Sequence, residues 1–479
     1  MAWMGRGWAL LLTLTVAAAA PAQENDRIAP LPTDPAIAKA IAAIDPANIR
    51  ADIAKLVSFG TRNTLSSMET TLPAGQGINP AADWIESEFK AISTACGGCL
   101  EVKRDAFVEP ASTAINGRIP RPTRLVNIYA IFHGTSENPA APWLLVTGHY
   151  DSRATDVMDA KVGAPGANDD ASGVAVSIES ARALSRLKLP GTIVFVAVAG
   201  EEQGLNGSRH LAQLAQSEAW PLVGVLNNDI VGGDTTPGNT MQNKNVVRLF
   251  SENVPATSTP EEIKTILSLG GENDSPSREL ARQIAEIAPS YFKSTPKATD
   301  SKPGQGFHPV LELRRDRYLR SGDHTSFNGV GFAAVRFTEW RENFDHQHQK
   351  VRIENGVQFG DLLQYVDFNY VARVAKLNAA VLASLADAPG EPQKARLLTS
   401  TLGNASTLKW EPPAYAPEGT TYEVVWRQTS ELLWTHSISA GKASTLTLDV
   451  SKDNVLFGVR SVAPDGHRSL AVAPVPARQ

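Results

Sequence analysis

The sequence predicts an α/β protein, a mixed, mostly parallel sheet flanked by helices, followed by a small all-β sandwich. Two observations carry this. Between residues 125 and 229, short apolar runs (LVNIYAIFHG, WLLVTGHYDS, TIVFVAVAG, PLVGVLNND) alternate with stretches of helical periodicity, the pattern of strands covered by helices on both faces. From residue 395 that periodicity stops, and STLKWEPP, TYEVVWRQ, STLTLDV and VLFGVRSVA follow one another between turn signals. A chain of 479 residues is too long for one ordinary core, which agrees with two folded units.

Taken in order, the opening MAWMGRGWALLLTLTVAAAAPAQ has a basic start at Arg6, an apolar run over residues 8–20 and a small-residue Ala20-Pro21-Ala22 ending. Residues 1–22 therefore read as a cleaved signal peptide, because the run is shorter than the ~20 residues a spanning helix needs. Export, to a periplasm or out of the cell, follows. No later segment is apolar enough to span a bilayer. Residues 36–59 read as one helix, and residues 81–92 as another with Trp84, Ile85, Phe89 and Ile92 on one face. Cys96 and Cys99, the only cysteines, stand in ACGGC; export favours a local disulfide, but spacing alone leaves the pairing open.

Further helices are predicted over residues 171–188 and in SRHLAQLAQS. The polar, Gly-, Pro- and Ser-rich stretch 232–320, around one helix at 277–288, reads as a lid or pocket wall. GFAAVRFTE is a strand and residues 360–388 a closing helix. Pro389, Gly390 and Pro392 make 389–394 a linker, dividing a unit at 23–388 from one at 395–479. The net charge of −5 is small and no long basic run occurs, so neither nucleic acid nor an anionic membrane surface is an expected partner.

The chemistry gathers where predicted strands end. His149, in GHYDS, is a metal-ligand type, and Asp151 two residues on points to the same side of an extended chain, where it can hold the imidazole tautomer. Asn168-Asp169-Asp170 opens a helix, where an aspartate is the ordinary N-cap. Glu201-Glu202 follows a buried strand, and two adjacent carboxylates there repel unless a cation lies close. Asp229 ends another apolar strand, and His346 and His348 lie in a late loop after GFAAVRFTE. Together these are the ligand set of a hard-to-borderline divalent metal pair.

The succession GHYDS, NDDASG, AGEEQGLNGS, NND and a late histidine resembles the zinc aminopeptidases of the M28 peptidase family, over most of residues 125–385. The resemblance implies two zinc ions bridged by Asp169, one also held by His149 and Asp229 and the other by Glu202 and the late histidine. It also implies Glu201 as general base, peptide substrates with a free N-terminus, and a cis bond between Asp169 and Asp170. The pattern loosens at the late histidine: the family has a His-Thr-x-x-Asp type run, whereas this chain has His348-Gln349-Lys350-Val351-Arg352. His348 is preferred because it immediately precedes the segment leading to the closing helix, with His346 the alternative. Asp323 and His324 match a family motif that lines the substrate pocket, and Arg320 is available to a substrate carboxylate.

Glutaminyl cyclases share the fold and much of this motif order but use one zinc; a carboxypeptidase and an inactive exported binding protein are further alternatives. The last 85 or so residues resemble a fibronectin type III domain in the Leu-x-Trp opening, the Tyr-x-Val-x-Trp strand and VRSVAPDG. That unit either contacts a surface or carbohydrate or braces the catalytic part, and its sequence leaves both open.

Overall fold

Along β5 (Thr192–Val198), Ile193, Phe195 and Ala197 enter one hydrophobic core while Val194, Val196 and Val198 enter another. This two-residue alternation of a wholly apolar strand requires cover on both faces. The computed structural model describes residues 20–21, 26–293, 306–400 and 402–478. Apart from β1 (Ala20–Pro21), the expected signal peptide lies outside the described residues. The central sheet is built from β2 (Leu100–Glu109), β3 (Thr123–Phe132), β4 (Trp143–His149), β5, β6 (Leu222–Asn228), β7 (Val246–Ser251), β8 (His308–Glu312) and β9 (Ala334–Thr338). Their order is β2-β3-β5-β4-β6-β9-β7-β8. The middle of the sheet, β5-β4-β6-β9, is parallel, as is β7–β8, while β2–β3, β3–β5 and β7–β9 are antiparallel.

On one face pack α1 (Pro35–Ala42), α2 (Pro46–Val57), α3 (Ile78–Ala95), α4 (Ala171–Leu184), α7 (Pro276–Tyr291) and α9 (Phe368–Ala386). On the other lie α5 (Asn206–Ser217) and α8 (His324–Asn328). Among the described residues no helix is long and apolar enough to cross a membrane. The helix expected over 36–59 is two helices. Pro46 has no N–H to donate and forces Asp45 out of helical geometry, to ψ 124°, where its carboxylate accepts from the Ala47 N–H and caps the second helix. The closing helix starts at Phe368 rather than near 360, because Asp367 caps it by accepting from Asn369 and Tyr370. The stretch 232–320 is more than a lid. Its apolar runs VVRLFS and HPVLE form β7 and β8 at the sheet edge, and α6 (Pro260–Leu269) joins the expected helix α7. Strand β2, absent from the sequence reading, is an edge strand of mixed polarity, and Cys96 and Cys99 are disulfide-bonded just before it.

After His348 comes a short hairpin of β10 (Arg352–Glu354) and β11 (Val357–Phe359). Beyond α9, β12 (Gln393–Leu398), β13 (Ser406–Glu411), β14 (Thr421–Gln428), β15 (His436–Gly441), β16 (Thr445–Asp449), β17 (Val455–Val462) and β18 (Val475–Ala477) form two sheets, β1-β16-β13-β12-β18 and β15-β14-β17. Leu408, Trp410 and Leu448 of the first share a core with Tyr422, Val424, Phe457 and Val459 of the second, which makes the pair a sandwich. It is docked along one face of α7. Glu286 takes Arg460 through both oxygens at 2.7 and 3.1 Å and Arg468 at 2.5 Å; Trp434 Nε1 donates to Glu279 at 2.9 Å; Arg282 donates to the Leu432 carbonyl at 2.8 Å.

The residues joining the two units are packed as well. The Gly390 N–H donates to the Tyr415 carbonyl at 2.9 Å, and burial, helped by the nearby charge of Glu279, pushes the Glu391 carboxyl up to about 7 from 4.5. A carboxyl so raised favours folding fully below its unfolded value of 4.5 and loses that contribution as pH rises through about 7. Glu391→Gln is therefore expected to raise stability at about pH 8 by about 1 kcal/mol, the partial exposure of the residue reducing what the full shift implies. The same substitution should flatten the pH profile between the two values. Denaturant melts of both proteins at several pH values check this, and identical profiles would refute it.

Candidate metal centre

Four strand ends and one helix start meet at the carboxyl edge of the sheet, where α/β proteins place their sites. β4 lies between β5 and β6 with His149 opposite Val198 and Thr147 opposite Asn227, so the chain leaves the sheet side by side at His149, at Glu201-Glu202 and at Asp229. β9 pairs with β6 and leads into the loop carrying His348. Two glycines permit this convergence. Gly200 turns the chain at φ +76°, where an added Cβ would stand 2.4 Å from Leu125 Cδ2, and a Cβ on Gly173 would stand 2.2 Å from the Asn228 carbonyl oxygen.

Two overlapping groups of ligand-type atoms result: His149, Asp169 and Asp229 in one, Asp169, Glu202 and His348 in the other. Asp169 faces each with a different oxygen. Its Oδ1 is 3.1 Å from His149 Nε2 and its Oδ2 is 2.9 Å from His348 Nε2, while Glu202 Oε1 is also 2.9 Å from His348 Nε2. Asp229 Oδ1 is 4.0 Å from His149 Nε2. The adjacent aspartates divide their work across a cis peptide bond. Asp170 is the helix cap, accepting from the N–H groups of Gly173 and His149, and Asp169 faces the site. Asp151 is fully buried; it accepts from the Glu201 and Glu202 N–H groups at 3.2 and 3.1 Å and from Thr64, and lies 3.4 Å from His149 Nδ1.

The charges of this constellation call for cations. Burial should raise the Asp169 carboxyl, yet the His348 and His149 charges hold it well below the usual carboxylate range. Burial should lower the His348 ring, yet Glu202 and Asp169 push it up to about 10, and His149 is raised in the same way by Asp151 and Asp169. Both imidazoles are thus drawn into the cationic form by surrounding carboxylates. Burial and the charges of Glu202 and Asp229, against the opposing pull of His149, push Glu201 well above the ordinary glutamate range. Glu202 Oε1 is buried and faces the His348 ring. Carboxylate and imidazole donors of this kind fit zinc.

His346 is in neither group: it stacks on Tyr365 at 3.9 Å, with Nδ1 3.3 Å from Asp234. Of the three residues assigned to substrate contact, Arg320 lines the cleft. Asp323 and His324 are fully buried, and His324 Nε2 lies 2.8 Å from the Arg315 carbonyl. Three supporting residues escaped the sequence reading. Asp361 accepts from the N–H groups of Asn168 and Asp169, Gln347 donates to Asp169 Oδ2 at 3.2 Å, and Arg336 meets Asp229 Oδ1 at 2.8 Å. Only Arg336 left a signal, a lone charge inside the apolar run AAVRF, which burial requires to be paired. Asp361 sits in a loop of ordinary composition, and Gln347 lies between the two candidate histidines, where an amide draws no notice.

A carboxylate and histidine metal centre at the carboxyl edge of a mixed α/β sheet is the class of site this chain carries. The family model for Peptidase family M28 matches residues 127–356. A probable zinc metalloprotease of Pyrenophora tritici-repentis is 42% identical over 458 residues, 95% of this chain and 90% of the relative. Another from Pyricularia oryzae is 45% identical over 442 residues, 91% of this chain and 84% of the relative. The chain belongs to peptidase family M28. Among solved structures, the LapA aminopeptidase of Legionella pneumophila is 17% identical, with 80% of each chain covered and a TM-score of 0.47.

Proposed function

We propose that this protein is an exported two-zinc aminopeptidase that removes N-terminal residues from peptides. The observation that carries the two-metal reading is the placement of the Asp169 oxygens, one toward His149 and the other toward His348. One zinc would be held by His149, Asp169 and Asp229, the other by Asp169, Glu202 and His348. Zinc bound there would supply Lewis acidity to the scissile carbonyl and to an attacking water. Glu201, on the cleft wall, takes the proton from that water on its carboxylate and passes it to the nitrogen of the leaving amine. Asp151 acts through its neighbours: it fixes the His149 ring and, through two backbone N–H groups, the turn that presents Glu201 and Glu202. Asp361 steadies the backbone on either side of the Asn168–Asp169 bond.

The test is zinc content per chain by elemental analysis, together with hydrolysis of alanine anilide with a free and with a blocked amine. About two zinc ions and cleavage of only the free substrate are expected. One zinc with no cleavage would replace this reading with cyclase chemistry, and cleavage of the blocked substrate would remove the aminopeptidase assignment. Asp169→Asn replaces the shared ligand with a weaker, neutral donor and is expected to leave less than about one zinc per chain; full zinc content would refute the bridge.

A further inference from the structure

The cleft above the metal centre has a volume of about 500 Å³, and its charged lining divides sharply. Its carboxylates are Asp169, Glu202 and Asp229 of the ligand groups and the neighbouring Glu201; its other charged residues outside the histidines are Arg118, Arg153, Arg317 and Arg320. These arginines are incompletely neutralised. Arg118 Nη1 donates to the Glu202 backbone carbonyl at 2.7 Å and meets no carboxylate among the described residues. Arg153 is held by the carbonyls of Ala154 and Thr155, at 3.1 and 3.0 Å, with Glu202 no nearer than 4.0 Å. On the side built by residues 315–321, Arg317 and Arg320 share one oxygen of Glu342, at 2.8 and 2.6 Å, while Arg248 takes the other at 3.1 Å. Three guanidinium groups on one carboxylate hold Glu342 down to about 2, so it stays ionised and is still outnumbered. Arg317 also meets Asp316 at 3.0 Å, but Asp316 in turn faces the buried Arg336 at 3.5 Å.

With Asp169, Glu202 and Asp229 in the ligand groups and Glu201 kept for proton transfer, the rest of the wall is a concave array of planar donors, which suits carboxylate oxygens. A basic side chain directed at the arginine part of the wall would meet like charge. Resting on the peptidase reading above, we propose that the cleft selects peptides that carry a carboxylate beside the scissile bond. The source is either an acidic side chain or the terminal carboxylate of a dipeptide. Leu319, which lines the cleft and is fully exposed in a left-handed turn at φ +53°, adds an apolar contact at its rim.

The experiment compares kcat/KM of the zinc-loaded full chain on alanyl-alanine amide, alanyl-alanine, alanyl-aspartic amide and alanyl-lysine amide. At least one carboxylate-bearing peptide should exceed the neutral amide by about tenfold, and the lysine peptide should fall below it. A faster free dipeptide identifies the terminal carboxylate as the source, and a faster aspartic amide the side chain. Arg118→Gln and Arg320→Gln should bring the ratio of the preferred to the neutral peptide toward one in at least one case. Equal rates, a lysine preference, or a ratio unmoved by both substitutions would overturn the proposal. Binding of the same peptides to zinc-loaded Glu201→Gln protein, followed by calorimetry, reads the wall without turnover. Tighter binding of a carboxylate peptide upholds the selectivity even if none is cleaved, a result that would sink the peptidase reading alone; equal affinities overturn the selectivity whatever the activity.

Discussion

Glu201→Gln is expected to lower kcat by about 10²- to 10⁴-fold while leaving the zinc content of the chain unchanged. Glutamine keeps the size of the side chain but cannot accept a proton at neutral pH. The metal-ligand groups contain His149, Asp169, Asp229, Glu202 and His348 and do not include Glu201, although Glu201 is next to Glu202 and lines the same cleft. The backbone that presents it is held independently of its side chain, by the bond from the Glu201 N–H to Asp151. Loss of rate with retained zinc and an unchanged melting profile would mark a proton-transfer role. Loss of zinc would make Glu201 a ligand, and retained activity would remove it as the base.

Deletion of residues 395–479 is expected to give an insoluble or protease-sensitive product. From the sequence alone, the Pro- and Gly-containing connection suggests the opposite, a detachable unit. Yet α7 presents Glu279, Arg282 and Glu286 along one face, at spacings of three and four residues, and all three are engaged by the sandwich. Trp434 covers this face, with the Arg282 guanidinium 5.5 Å from its ring, and Leu470 enters the core that holds α1 and α9. Truncation would strip the apolar cover from α7 and leave its ion pairs unanswered, at a cost of several kcal/mol on the scale of one or two large buried side chains. Expression of the truncated chain with limited proteolysis decides the matter: a soluble, resistant, active fragment would show that the sandwich is dispensable. Trp434→Ala in the full chain should lower stability by about 3–5 kcal/mol if the docking face contributes as described.

Legibility in the sequence followed the local character of each feature. Strands β3, β4, β5, β6 and β9 were visible because both their faces are buried, which demands continuous apolar runs, and the site residues were visible because they stand where those runs stop. Strand β2 was not, because its burial pattern is mixed at the edge of the sheet, and β7 and β8 were hidden inside a stretch whose average composition is polar. Between His346 and His348 the sequence favoured His348 by its position before the closing segment, and the folded loop sends the two histidines in different directions. One is turned to Tyr365 and the other, at φ +58°, to Asp169 and Glu202.

The sequence by itself therefore determined the α/β class and the β-rich end, because each is written in periodicity, and it set the candidate metal-binding side chains beside strand ends; the division of roles among them, with Glu201 as base, is what the family resemblance implies. Only the tertiary structure decided which oxygen of Asp169 faces which histidine, that Asp361, Gln347 and Arg336 support the centre, that Asp323 and His324 are fully buried, and that four arginines line the cleft. Those facts depend on side chains brought together from positions distant along the chain, and such a juxtaposition leaves no trace in local pattern.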